Sequence, residues 1–426
     1  MQMPRLRYRY LSIIVFIFVS IFSLSALSIA QSKPQRPDNP AGEGKRNQRP
    51  KPKTEEELKK EAEEKERQEA EKTATVEPGV EKIESNVVNI DAVVYNKKTG
   101  QIVSGLKKEN FAVFEDGVKQ NISSFATPEA PITVTLVVEY SKWTEIFGSA
   151  SGRGFEPGTY EVIRPVASFL TKFIKPPNDY ASVIAFDLRP TPITDFTNDP
   201  ARINATINIL LRNYPAFREN NLFDAIKFAL VGGKSDAVVL EDSKERWQQY
   251  GGMIDVKAKR RAIILVASGI DTFSKINFGD ARKIVQEAGV PIYIISTANM
   301  FFKLYEPYLP PEDNVVTGLP GRLTFLQAAN QLKTFAKESG GAFFEMTFPA
   351  EVNSYVNSIN ALLRSQYNLA YDLDGKHEPG KKYKLEVKVD VDGDGTYDDK
   401  AYVVQARNFY VVPGNEKSSS AKGAKQ

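Results

Sequence analysis

Ile132-Thr133-Val134-Thr135-Leu136-Val137-Val138 is a seven-residue run in which every residue but Leu136 is β-branched, and it holds the key to the fold. Continuous β-branching suits a strand buried on both faces, as in a parallel sheet covered by helices. The residues that follow repeat the theme. Helical apolar spacing at 160–174 leads to a strand at 180–186, and Asp199 followed by Pro200 opens a helix to residue 211. A helix is expected at 221–230, a buried strand at 262–267, and a helix at 278–288 that ends at Gly289. A strand at 290–296, a helix at 323–339 stopped by Gly340-Gly341, and a strand at 342–346 complete the alternation. This pattern predicts an α/β fold with a doubly wound, mainly parallel sheet.

Outside this region the period changes from helical to strand-like. Residues 87–95 and 101–106 alternate apolar and polar positions about a turn at 96–100 and read as a hairpin; residues 111–114 and 120–125 read as a second one about Glu115-Asp116-Gly117. Near the other end, 368–373, 384–391, 401–406 and 409–412 also read as strands. Neither set suffices for a stable sheet, so the flanking segments are expected to pair into one small β-domain. The expected organisation is a signal peptide at 1–30, a disordered linker and charged helix at 31–85, and β-domain halves at 86–128 and 367–413. These halves flank the α/β domain at 129–366, and a disordered tail occupies 414–426.

The signal reading rests on Arg5, Arg7 and Arg9 before the apolar run 11–27, with Ser28-Ile29-Ala30 as the cleavage site. An uncleaved anchor is the competing reading, since about 20 apolar residues can span a bilayer. With cleavage, the chain is expected to be exported to the periplasm, cell envelope or medium, with no remaining membrane span.

Composition narrows the chemistry. Among 426 residues, 56 Lys and Arg nearly balance 53 Asp and Glu, which provides no basic field for nucleic acid. Cysteine is absent and His377 is the sole histidine, which excludes thiol nucleophiles, thiolate metal sites and multi-histidine centres. His377 itself reads as an exposed turn residue. No Gly-x-Gly-x-x-Gly follows the first strand, so nucleotide binding is disfavoured.

In doubly wound sheets, ligands sit at the carboxyl ends of the strands where the strand order reverses. Here those ends are Glu139-Tyr140-Ser141-Lys142-Trp143 and Ser268-Gly269-Ile270-Asp271. Together with Val103-Ser104-Gly105-Leu106, Phe114-Glu115-Asp116-Gly117, Asn221-Leu222-Phe223-Asp224-Ala225-Ile226 and the closing strands near Tyr367 and Tyr410, they make residues 86–412 resemble the von Willebrand factor A domain. The resemblance is to the related type found in acidobacterial exported proteins. It implies a divalent-cation site built from an Asp-x-Ser-x-Ser loop, a Thr and a later Asp. At the matching positions stand Glu139, Ser141, Trp143, Asn220 and Ser268, with Asp271 as a replacement carboxylate. The expectation is a degenerate metal site or partner-binding site in which Glu139, Asn220, Ser268 and Asp271 form a metal-free hydrogen-bonded cluster. Magnesium is not expected there. Trp143 reads either as a contact anchor or as a lid over the sheet.

Asp390-Val391-Asp392-Gly393-Asp394-Gly395-Thr396-Tyr397-Asp398 places carboxylates at loop positions one, three, five and nine. It resembles the calcium-holding hairpin loops of integrin-type propeller blades, which implies calcium ligated by Asp390, Asp392, Asp394 and Asp398 and by the carbonyl of Thr396. The competing reading is a solvated acidic turn. The functional expectation is an exported, non-enzymatic interaction or adhesion module for a protein or cell-surface ligand. A metal-dependent adhesin with a modified cation site is one alternative. A hydrolase of an envelope polymer is the other, and it lacks a placed acid and base.

Overall fold

The structure is a computed structural model that describes residues 87–147, 159–213, 215–233, 250–316, 318–373 and 377–412. All of them belong to one compact unit, Ile83–Gln426. The expected signal peptide, linker, charged helix and tail lie outside the described residues. Among the described residues, no helix is long and apolar enough to cross a membrane.

In chain order the elements are β1 (Val87–Asn96), β2 (Phe111–Glu115), β3 (Val118–Gln120), β4 (Ile122–Ala126), β5 (Ile132–Glu139), α1 (Lys142–Phe147) and α2 (Arg164–Phe173). There follow β6 (Tyr180–Phe186), β7 (Pro190–Thr197), α3 (Pro200–Arg212), α4 (Leu222–Val231), β8 (Gly232–Gly233), β9 (Tyr250–Gly251), β10 (Arg260–Ala267) and α5 (Phe278–Ala288). The remainder comprises β11 (Ile292–Ser296), α6 (Ala298–Tyr305), α7 (Arg322–Ser339), β12 (Phe343–Glu345), α8 (Glu351–Leu363), β13 (Tyr367–Asp372), β14 (Lys382–Val389), β15 (Tyr402–Gln405) and β16 (Phe409–Val411).

The central sheet has the order β12-β11-β10-β5-β6-β7, parallel throughout except for β7, which runs antiparallel to β6. Read from β7 and numbered by position in the chain, this is the doubly wound order 3-2-1-4-5-6, with its reversal between β5 and β10. Alternation along β5 supplies both faces. Val134, Leu136 and Val138 pack with Leu170, Ile207 and Ile359 of α2, α3 and α8. Val137 packs on the other face with Ile226, Val285 and Leu332 of α4, α5 and α7. The expected two-sided burial accounts for the apolar or β-branched run that β5 carries up to Val138.

Helix boundaries follow local chemistry. The Asp199 carboxylate caps α3 by accepting from the Ala201 N–H at 2.8 Å, and Pro200 occupies the first turn. Gly289 and Gly340 end α5 and α7 in the left-handed region, and a Cβ at either would collide with Arg407.

The flanking segments form two four-stranded antiparallel sheets, β15-β1-β13-β4 and β16-β14-β2-β3. Their facing sides share a core that includes Ile90, Phe111, Val113, Tyr367, Leu369 and Leu385. Three expectations change here. The hairpin at 87–95 and 101–106 is shortened: its turn closes through the Asn96 N–H to Gln101 O, the Val103 N–H to Val94 O and a Tyr95–Ile102 bridge, but 101–106 forms no full strand, and β1 pairs mainly with β13 and β15. The second hairpin splits, because β3 stays with β2 while β4 crosses to the other sheet and pairs with β13. The acidic loop joins β14 and β15, which lie in opposite sheets, so it turns a sheet-to-sheet corner.

Strand β7 and helices α1, α6 and α8 were not anticipated. Pro190 and Pro192 disguise β7, and the edge position explains their tolerance. Helix α8 is rich in Asn and Ser but buries Val352, Val356, Ile359 and Leu363.

Candidate functional site

Strand β5 ends at Glu139, beside the end of β10 and therefore at the switch in strand order. The carboxylate is buried and has three donors. Its Oε1 accepts from the Ser141 hydroxyl at 2.7 Å and from the Asn220 amide nitrogen at 2.9 Å, and its Oε2 accepts from the Ser268 N–H at 2.6 Å. Burial raises the Glu139 pKa, and hydrogen bonds from Ser141, from the Ser268 backbone and side chain, and from Asn220 oppose that shift. The Ser141 hydroxyl oxygen also accepts from the Trp143 N–H, and the Thr144 hydroxyl donates to the Glu139 carbonyl. These bonds wind the chain after β5 into a tight turn.

Asp271 does not join this cluster. Its Oδ1 accepts from the Phe223 N–H at 3.3 Å and the Ser274 hydroxyl at 2.5 Å, which ties the loop after β10 to the first turn of α4. Burial raises its pKa. Asp224 accepts from the Lys275 and Ile276 N–H groups and braces the same loop. The Thr272 hydroxyl exchanges bonds with the Asn220 backbone, a partnership that the sequence did not disclose.

A divalent cation at the Glu139 position would need several oxygen ligands and usually more than one negative charge. Glu139 is the sole carboxylate in this cluster, and a hydroxyl, an amide N–H and a backbone N–H all point at it. Asn220 turns its nitrogen toward Glu139. With one carboxylate, the cluster carries less negative charge than a divalent-cation site usually has.

Trp143 is buried against Ile270, Ala298, Phe325 and Ala328, so it is a lid over the strand ends. Helix α6, which leaves the end of β11, and the start of α7 pack on it from outside, with Phe302 and Phe325 ring centroids 5.6 Å apart. The outer side of this layer exposes several large apolar side chains among charged ones such as Lys303, Glu306 and Glu312. Tyr308, Val315 and Val316 are 81%, 98% and 95% exposed, and Leu304, Leu323 and Leu326 are exposed as well. Phe217 and Phe273 are exposed on segments that bond to the site, through Phe217 O to Lys142 N and Asn220 O to Phe273 N. Exposed apolar side chains therefore lie on the segments that pack on Trp143 or bond to the site loops.

The acidic corner forms a second group. Asp390, Asp392 and Asp398 each bring a carboxylate oxygen to within 4.8 Å of the others, so the trio could hold a metal ion. Backbone donors already order it: Asp390 accepts from Gly393 and Gly395, and Asp398 accepts from Val391. Asp394 stands apart and accepts from the Thr396 N–H at 2.7 Å and from the Thr396 hydroxyl.

His377 corrects the sequence reading of an exposed turn. Its side chain is 12% exposed, with Nε2 2.6 Å from Glu115 Oε1. Glu115 also accepts from the Tyr371 and Tyr410 hydroxyls, and burial together with this carboxylate raises both phenol pKa values. The contact joins residues 262 positions apart, which no local signal reports.

No family model matches the chain, and no curated relative does. Solved structures are similar at low identity. The PilB minor pilin from Streptococcus sanguinis is 12% identical, with a TM-score of 0.36, over 55% of this chain and 61% of that one. This chain thus spans less than two thirds of that pilin. The vWF domain of the type V pili tip protein Mfa5 from Porphyromonas gingivalis is 14% identical, with a TM-score of 0.36, over 55% of this chain and 95% of that one. An aerotolerance-related membrane protein from Bacteroides fragilis is 14% identical, with a TM-score of 0.34, over 55% and 98%.

Proposed function

We propose that the chain is an exported, non-enzymatic interaction module that holds a protein partner or cell-surface ligand against the strand-end face. The observation that carries this reading is the apolar rim on α6, the following loop and α7, seated on Trp143. Large exposed apolar side chains grouped on neighbouring segments are a feature of interaction sites. The Glu139 cluster supports the rim by fixing the turns beneath it. The reading is non-enzymatic: it takes the Ser141 hydroxyl on Glu139, which is fully buried, and the Ser274 hydroxyl on Asp271 as structural donors that hold the turns. The test is capture from envelope extract by immobilised wild type and by a variant carrying Leu304→Ser, Tyr308→Ser and Leu323→Ser. The wild type should retain a specific partner without added magnesium, and the variant should lose it. Capture that requires magnesium, or that survives the three substitutions, overturns the reading.

The acidic corner supports a second element of the proposal, structural calcium held by Asp390, Asp392 and Asp398. Calcium accepts six to eight oxygens in flexible geometry, whereas magnesium requires a tight octahedron. Treating the two antiparallel sheets as a domain distinct from the α/β layers is part of the same proposal.

A further inference from the structure

A groove of about 690 Å³ follows the seam where the β14–β16 sheet meets α5 and α7. It is far from the strand-end face in chemical character. Arg282 of α5, Lys337 of α7, and Lys382 and Lys384 of β14 line it, against the carboxylates of Asp116 and Glu338. Four cations against two carboxylates leave an excess of two positive charges.

Both carboxylates are already engaged. Glu338 receives a two-pronged bond from Arg282, Nε at 2.8 Å and Nη2 at 2.5 Å, and a third from Gln286 at 2.9 Å. Asp116 accepts from the Lys384 backbone N–H at 2.8 Å. Lys382 Nζ sits 3.3 Å from the centroid of the Phe409 ring, which also lines the groove and holds the ammonium in place. Among the described residues, no carboxylate lies within ion-pair distance of the Lys337, Lys382 or Lys384 ammonium. Lys337, Lys382 and Lys384 line one groove from two layers, and a groove walled by protein focuses the field of the charges that line it.

We propose that this seam groove binds a multivalent tetrahedral oxyanion of the phosphate or sulfate class. The planar fork of Arg282, which would suit a carboxylate ligand, is consumed by Glu338, and the remaining cations are ammonium point charges. Point charges on several sides of a groove match an anion whose charge is spread over several oxygens. A ligand bridging Lys337 of α7 and Lys384 of β14 would also tie the sandwich to the α/β layer.

The test is calorimetric titration of the full chain with sodium pyrophosphate, inorganic phosphate and sodium sulfate at low, matched ionic strength. Pyrophosphate should bind saturably and more tightly than either single-centre ion, and added salt should weaken it. Lys337→Gln, Lys382→Gln and Lys384→Gln combined should weaken pyrophosphate at least tenfold, while Lys303→Gln, on exposed α6, should leave it unchanged. Single Lys337→Gln and Lys384→Gln substitutions, at exposed positions, provide the same comparison should the combined variant unfold; each should weaken binding severalfold. Absence of saturable binding, or equal affinity in the lysine variants and the wild type, overturns the proposal.

Discussion

Glu139 shows how one residue changes the character of a site. A carboxylate ending a central strand at the sheet's switch point is well placed for a cation, yet here its two oxygens are taken by Ser141, Asn220 and Ser268. Removing it strands buried donors, each of which costs about 1 to 3 kcal/mol when left unmade. Glu139→Ala should therefore destabilise the fold by roughly 3 kcal/mol or more, read as a shift in the urea midpoint at unchanged slope. Magnesium should leave the melting temperature of the wild type unchanged. A magnesium-dependent rise that disappears in Glu139→Ala would restore the cation reading. The residue types were legible in sequence, because strand ends are where such groups gather. The detachment of Asp271 was not, since it depends on Ser274 and the α4 backbone arriving at the same place.

At the scale of elements, the acidic corner carries the sharpest expectation. Because β14 and β15 belong to different sheets, a cation held by Asp390, Asp392 and Asp398 would fasten one sheet to the other at their shared corner. Calcium at 100 times its dissociation constant should add about 2.7 kcal/mol to stability, visible as a rise in melting temperature. Asp392→Asn with Asp398→Asn should abolish that rise, whereas Asp394→Asn should reduce it little, because Asp394 is turned to Thr396. Equal calcium response in all three proteins would leave only an acidic turn. Strands β5, β6 and β10 were readable from their apolar runs, and α5 and α7 from glycine stops. Strand β7 was hidden, since its prolines mimic a loop and only its antiparallel edge position accommodates them.

Across the whole molecule, the sandwich and the α/β layers meet over a charged seam. Asp91 of β1 accepts from Asn368 at 3.0 Å and faces Arg260, Arg261 and Arg407, with Tyr293 nearby. Arg260 is fully buried and donates to the carbonyls of Pro128, Ala130 and Leu363, while the Arg407 guanidinium reaches the Asn89 carbonyl. Burial pushes the Asp91 pKa up to about 6 and that of Arg407 down to about 10. A raised carboxyl pKa means that the fold holds the proton more tightly than the unfolded chain. The resulting stabilisation is complete below the unfolded value near 3.8 and is lost as pH rises through 6. Relative to Asp91→Asn, wild-type stability should fall by about 3 kcal/mol between pH 4 and pH 7, at 1.36 kcal/mol per unit. Chemical denaturation across that range measures it. A difference that grows with pH would instead assign Asp91 to ion pairing with the arginines.

Period, branching and capping are local properties, and they were enough to reveal the doubly wound class and the strand ends that bear Glu139 and Ser268; of the four carboxylates expected to converge in the acidic loop, Asp390, Asp392 and Asp398 come together and Asp394 does not. Pairing is not local. Strand β1 pairs along most of its length with β13 and β15 and keeps only a short bridge to its neighbour in sequence, β4 left its hairpin for β13, and His377 found Glu115, because each choice buries a face or satisfies a polar group supplied by a distant segment. The alternation of a strand announces which side seeks cover without naming the covering strand. For that reason the sandwich topology, the apolar rim on Trp143 and the lysine-lined seam emerged only when the chain's two ends closed around its α/β centre.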